Sequence, residues 1–341
     1  MSTQPLPTPV TAPPPSEGRS VTPRSVFGRF GGMVFVSPAL IVLGLFVIYP
    51  AYYTIRLAFY QGDFDFHFFH YLGLKNFRDL LTHDPDFIDT SKFQGLNIVK
   101  ELLYKSDGGA LVNNIHWVIY YISFSLIIGL GLAVLAVRVR YERAIKTAIF
   151  VPMAISATAV GIIWLFVYSP NPDTGLLNAV IHGFDNGFHP IAWVGRPSLV
   201  NYCVIFAYIW ASVGFVMVVL SAAIKGIPAE IMEAARVDGA GEWNIFRRIM
   251  FPMLSLPISV VTVWLFVNVV KVFDIIYVMT SGGPGTSSRV IAFTMYEETF
   301  QNFSSTRGPG YGAAVAVIML VLVAPVMILN VRRFRTEKVV A

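Results

Sequence analysis

Six stretches of this chain are long and apolar enough to cross a lipid bilayer, and this restricts the fold more than any other feature. They occupy residues 30–59, 112–137, 147–168, 199–223, 253–279 and 312–331. A helix needs ~20 mostly apolar residues to cross the hydrocarbon core. Inside that core every backbone N–H and C=O must bond within the protein, so only helices and closed barrels span it. Barrel strands alternate in polarity, whereas these runs are continuous. The expected fold is therefore all-α and integral to the membrane, with six crossings. Composition agrees: 55% of the 341 residues are hydrophobic and 13% are charged, against roughly 25% charged in a soluble domain. The first run contains Pro38 and Pro50 and is longer than it needs to be, which predicts a kink or an interfacial start.

The formal charge of +5 does not gather into one patch, which argues against a nucleic-acid partner. Basic residues sit between the runs instead, and their bias sets orientation. Arg19, Arg24 and Arg29 lie on one side, followed by Arg138, Arg140, Arg143 and Lys146. The same side takes Lys225, Arg236, Arg247 and Arg248, and then Arg332, Arg333, Arg335 and Lys338. The short connections opposite carry only Arg196, Arg289 and Arg307. Both termini are thus expected in the cytoplasm. Residues 1–29 read as a disordered Pro-rich tail, and without a basic start or cleavage site the first helix (30–59) is expected to stay as an anchor. Residues 60–110 form the largest external piece. Tyr60, Phe64, Phe66, Phe68, Phe69 and Tyr71 stand there beside Asp63, Asp65, Asp79, Asp84, Asp86 and Asp89. This segment is either a cap that meets an extracytoplasmic partner or an interfacial aromatic belt. Residues 111–335 hold the other five crossings, and 336–341 read as a tail. Cys203 is the only cysteine and lies within an apolar run, so no internal disulfide or Cys-based zinc site is possible.

The loop at 225–252 carries the most information. Pro228 suits the first turn of a helix, and Glu230 and Glu233 then lie near its positive end. Ala234 and Ala235 are small enough for another surface to approach closely. Asp238-Gly239-Ala240-Gly241 breaks the chain, and a basic amphipathic segment (Trp243, Ile245, Phe246, Arg247, Arg248, Ile249) runs on to Pro252. A protruding pair of helices of this kind suits docking to a soluble protein. The spacing resembles the EAA loop of ABC-importer permeases: Glu233-Ala234-Ala235, then three residues and Gly239, then nine residues and Ile249-Met250-Phe251-Pro252, with Phe251 where the family has leucine. In that family the loop is a coupling helix seated in a groove of the ATPase. The resemblance makes Glu233 the polar contact and Gly239 the turn.

A second segment, Phe273 to Pro284 with Thr280-Ser281-Gly282-Gly283-Pro284 at its end, looks like carbohydrate permeases of the type similar to the larger maltose permease. The resemblance covers roughly 111–335. It implies the type-I ABC importer permease fold, with six transmembrane helices, in a bacterial or archaeal plasma membrane. It also implies a second homologous permease, two ATPase subunits and an extracytoplasmic sugar-binding protein as partners. Likeness around Pro152-Met153-Ala154-Ile155-Ser156 favours an α-glucoside or similar disaccharide as cargo. No Gly-x-x-x-x-Gly-Lys-Ser/Thr motif is present, so ATP and Mg²⁺ would belong to partners and this chain would hold no cofactor and no metal. It would not itself be an enzyme.

Polar groups inside the membrane are costly and often functional. Lys271 and Asp274 stand three apart on the expected fifth helix, where they can form a neutralised pair; otherwise Asp274 faces the pathway. Sugar sites combine aromatic faces with amide and hydroxyl groups. Tyr208, Trp210, Ser212 and Phe215 occupy the fourth helix, and Trp264 and Asn268 the fifth. The maltose-permease pattern puts Tyr208, Ser212 and Phe215 on a pocket-facing stripe, with Asn268 and Met153 at corresponding positions. Leu265, Val269 and Val272 are apolar at other pocket positions. Ordinary packing explains any one of these residues equally well. Two other classes stay open. An ion-driven secondary transporter or channel would need inverted repeats or a mid-membrane acid chain, and a membrane enzyme would need a catalytic constellation; none of these is evident.

Overall fold

The computed structural model describes residues 26–62, 67–68, 70–92, 108–185, 187–302 and 307–340. Most of the expected tail, together with Phe64, Phe66, Phe69, Asp63 and Asp65 of the external segment, lies outside these residues. The chain divides into two units, 1–52 and 53–341. In the first, α1 (Val26–Leu43) passes through a π-helical turn (Gly44–Ile48) into the opening residues of α2, a helix that spans Tyr49–Leu57. The turn falls just before Pro50, whose ring has no N–H and crowds the carbonyl four residues back. Widening the helix relieves that clash, so the expected irregularity is a π turn.

In the second unit α3 (Lys75–Thr82) is followed by α4 (Ala110–His116), a π turn (Trp117–Tyr121) and α5 (Ile122–Arg138), the last three making one span. α6 (Glu142–Phe150) ends in a 3₁₀ turn (Val151–Ala154) and meets α7 (Ala157–Val167) at 100°. The run 147–168 is therefore not one straight helix. Pro152 interrupts the hydrogen-bond ladder, and Ser156 restarts it by accepting from Ala159 N–H at 3.2 Å. α8 (Leu176–Phe184) lies between α7 and α9 (Val200–Lys225). α9 is the central span: 56% of its apolar window is buried, against 28% for 110–138. Two glycines set how closely it is approached. A Cβ on Gly129 would sit 2.5 Å from Val216, and one on Gly214 would sit 2.5 Å from the Ile149 carbonyl.

α10 (Ala229–Val237) and α11 (Glu242–Ile245) follow, then a π turn (Phe246–Met250) and α12 (Phe251–Met253). This last stretch meets α13 (Ser255–Val270) at 67°. As at Pro50, the π turn ends two residues before a proline, Pro252. α13 stops at Val270, α14 (Asp274–Met279) begins anew, and α15 (Ile291–Phe300) and α16 (Pro309–Val340) complete the chain. Lys271 and Asp274 therefore do not share one helix face, as the expected pairing assumed. Lys271 is the C-cap of one helix and Asp274 opens the next, with both exposed. Helix also continues through 336–340, where a tail was expected. Among the described residues, four helices are long and apolar enough to span, or up to six if each bent pair is one span. Among the described residues, strand pairing is limited to a single bridge between Tyr60 and Tyr71.

A second core (Leu57, Leu80, Phe87, Ile291, Tyr311) joins the 53–110 segment to α15 and the start of α16. Buried charge reinforces this seam. The Asp84 carboxylate accepts from Tyr311 Oη at 2.8 Å and pairs with Arg307 at 3.2 Å, while Arg289 pairs with Glu297 at 2.7 Å. Burial pushes the carboxyl pKa of both Glu297 and Glu298 up, opposed in part by Arg289 and by Asn302 respectively. Asn113 Nδ2 donates to the carbonyls of Thr286 and Arg289, and Asn114 accepts from Ile291 N–H at 2.8 Å. These amides fasten the loop after Pro284. Within that loop Ser288 Oγ donates to Gly283 O at 2.7 Å, and a Cβ on Gly282 (φ +80°) would strike the Phe293 ring. The Gly-Gly-Pro segment is thus a folded turn.

Candidate coupling and translocation site

Helical spacing on α10 separates an outer row from an inner one. Glu230, Glu233, Ala234 and Val237 are exposed, whereas Met232 and Ala235 are half-buried. The exposed surface therefore combines two carboxylates, a small residue and an apolar tip that is 88% exposed. Pro228 stands at the N-cap, one position ahead of the first turn. Gly239 has φ +78°, a conformation that costs other residues about 1 kcal/mol. Its N–H donates to Arg236 O at 3.0 Å and Ala240 N–H donates to Ala235 O at 2.9 Å, so α10 closes in a Schellman motif. Nothing lies within 4 Å of the missing Cβ; the backbone angle, and not crowding, requires glycine there.

Two carboxylates that sequence reasoning passed over hold this loop. Glu242 pairs with Arg138 at 2.6 Å and with Arg236 at 3.0 Å. Glu142 pairs with Lys146 at 2.6 Å and with Lys225 at 2.7 Å. Glu242 thereby ties the end of α5 to both helices of the loop, and Glu142 ties the start of α6 to the end of α9. The available signal was an acid set within each of two basic stretches. Ile249 is half-buried on the π turn, and Pro252 sits in the first turn of α12.

The expected pathway residues fall into two groups. Tyr121 Oη donates to Ser212 Oγ at 3.1 Å, and Ser212 Oγ donates to Tyr208 O at 2.7 Å. The Tyr208 ring lies 5.1 Å from Tyr121 and 5.5 Å from Trp117, whose indole donates to Asn201 at 2.9 Å. Asp274 stands exposed at the start of α14. Further along α9, the Phe215 ring lies 4.2 Å from Trp264, and Asn268 Nδ2 donates to the Trp264 carbonyl at 2.8 Å. Met153 lies in the 3₁₀ turn that packs on α9. Ser212 is buried and its hydroxyl is engaged within the bundle. None of the six expected pathway residues lines the aromatic groove of about 610 Å³ between α7, α8 and α9, whose walls include Trp164, Trp193, Tyr202 and Trp210.

Residues 125–333 match the family of binding-protein-dependent transport system inner membrane components. The chain belongs to that family. It is thus a multi-pass permease subunit of the ABC-importer class, as the loop at 225–252 led us to expect. It is 39% identical over 309 residues to the osmoprotective compounds uptake permease protein GgtC of Synechocystis sp., covering 89% of this chain and 99% of the relative. Identity to the alpha-glucoside transport system permease protein AglF of Rhizobium meliloti is 34%, covering 89% and 82%. A crystal structure of a bacterial ABC transporter that imports alginate superposes with a TM-score of 0.67 at 22% identity, covering 90% of this chain and 97% of that one. At that identity the likeness establishes the fold alone.

Proposed function

We propose that this permease forms half of the translocation pathway of an ATP-driven carbohydrate importer and is coupled to the ATPase through α10. The observation that carries the coupling role is the exposed row Glu230, Glu233, Ala234 and Val237 on a short helix closed by Gly239 and braced by Glu242. Such a row gives a docking groove both shape and charge. The ion-paired brace passes a displacement of α10 to α5, and Glu142 separately joins α6 to the end of α9. On this reading each bent pair is one span, the crossings number six and both termini are cytoplasmic. ATP-driven closure of two ATPase subunits moves α10, the bundle opens outward to take sugar from a binding protein, and hydrolysis resets it. ATP and Mg²⁺ are held by those partners, and a second, homologous permease completes the pathway.

An α-glucoside or related disaccharide is the proposed cargo, a reading supported by the substrate in the name of the 34% identical relative. A solved complex of the alginate transporter with a pentasaccharide-bound periplasmic protein likewise supports a binding-protein partner. Along the pathway Tyr208, Ser212 and Asp274 supply the outer polar contacts, and Met153, Phe215 and Asn268 the inner ones. Replacing Glu233→Cys and applying a short cross-linker to native membranes tests the docking. A cross-link to a P-loop ATPase is expected, and its absence, with the ATPase present in the membrane, would overturn the coupling role. For the pathway, the double variant Tyr208→Ala, Asn268→Ala should assemble normally yet transport less sugar; normal transport would refute that assignment.

A further inference from the structure

A groove of about 570 Å³ lies between α5 and the second half of the 225–252 loop. On α5, Ile127, Gly131 and Leu135 recur at helical spacing along its wall. Ile127 is 66% exposed and Leu135 62%, and nothing lies within 4 Å of a Cβ built on Gly131. Trp243, Phe246 and Phe251 form the opposite wall. Phe246 and Phe251 are five residues apart, a spacing that a regular α-helix would splay onto different faces. The π turn at Phe246–Met250 brings their rings to within 6.4 Å, and Trp243 stacks on Phe246 at 5.5 Å. The irregular helix thus builds an apolar slot.

The rim of the slot is charged. Arg138 and Glu242 line it, and Glu242 also holds Arg236. One carboxylate against two guanidiniums leaves an excess positive charge. Arg247 and Arg248 stand exposed on the π turn itself, and among the described residues no carboxylate lies within ion-pairing distance of either. Trp243, 69% exposed, suits the level of lipid headgroups. An acyl-sized apolar slot with an exposed tryptophan on its wall and a surplus of positive charge beside it matches the chemistry of an anionic phospholipid.

We propose that an anionic phospholipid occupies this groove, with one acyl chain against Gly131 and its phosphate toward Arg247 and Arg248. It fills the space between α5 and the proposed coupling loop, so lipid composition bears on how firmly that loop is seated. The site does not depend on the identity of the transported sugar or on the ATPase contact. Its test reads both leaflets and therefore does not depend on orientation either.

The assembled transporter is purified, exchanged into nanodiscs of equal parts phosphatidylcholine and phosphatidylglycerol, and its retained lipids are measured by native mass spectrometry. Preferential retention of phosphatidylglycerol is expected. The double variant Arg247→Gln, Arg248→Gln should lose that preference by roughly 30-fold, the product of two surface arginines. Gly131→Leu should exclude the lipid altogether, and Leu135→Trp serves as a second filler should that variant fail to assemble. Equal retention of the two lipids would overturn the proposal, as would undiminished retention in a filled variant. A cross-link from Gly131→Cys to another polypeptide would assign the groove to a partner helix instead.

Discussion

Ion pairs hold both the 225–252 loop and the seam between Asp84 and Tyr311, but in opposite solvent regimes. At the loop, Glu142 and Glu242 are 24% and 49% exposed, and each meets two cations. At the seam, Asp84 and Glu298 are each 2% exposed and share Arg307. An exposed pair is worth about 0–1 kcal/mol, so it directs a helix without locking it. Breaking a buried pair costs about 3–5 kcal/mol because the surviving charge cannot reach water. The seam is therefore built to stay closed, while the loop can be displaced at little cost. That asymmetry is what a transporter requires if motion enters at one end.

The largest expected effect tests the seam. Arg307→Ala strands Asp84 and Glu298 and should lower stability by about 2–3 kcal/mol, less than the full range because Arg307 is 38% exposed. Thermal unfolding in detergent measures it, and a loss below about 0.5 kcal/mol would equate the two regions. Next comes Gly239→Ala at the loop. It should cost about 1 kcal/mol, since φ +78° must be retained by a residue that disfavours it.

The seam should also depend on pH. Burial raises the Glu298 carboxyl above its ordinary value of 4.5, so the folded chain keeps that proton to a higher pH than the unfolded chain does. Its contribution is fully present below pH 4.5 and is lost as pH rises from there through the raised value. Glu298→Gln should flatten that slope. An unchanged slope, measured by unfolding across acidic to neutral pH, would place the proton elsewhere. Smallest in stability is Glu242→Gln, which removes one exposed charge and should leave thermal unfolding almost unchanged. Its larger consequence falls on uptake, because the brace between α5 and α10 is lost; uptake assays on the reconstituted transporter read this out.

Comparing the two regions also explains how far the sequence could be read. Continuous apolar runs disclosed the spans at 112–137, 199–223 and 312–331, because nothing within them interrupts a helix apart from Pro325 near the end of the last. The runs at 147–168 and 253–279 concealed sharp bends, since Pro152, Ser156 and Pro252 break the hydrogen-bond ladder without changing hydropathy. Lys271 and Asp274 were separated for a related reason: the helix ends at Val270, and only the charge of Lys271 marked that point. The exposed row of α10 was legible because helical spacing and Gly239 act locally. The seam was not, because Asn113, Asp84 and Arg289 meet Thr286, Arg307 and Asp86 far away in the chain and no local pattern announces them.

The central claim is that Glu233 transmits the ATPase's motion while contributing nothing to holding the chain together. Glu233→Ala in the reconstituted transporter tests it directly, with ATP-driven uptake and thermal unfolding measured on the same preparation. The account predicts unfolding unchanged within about 0.5 kcal/mol, together with loss of ATP-coupled uptake. Uptake at the full rate from a folded variant would contradict it.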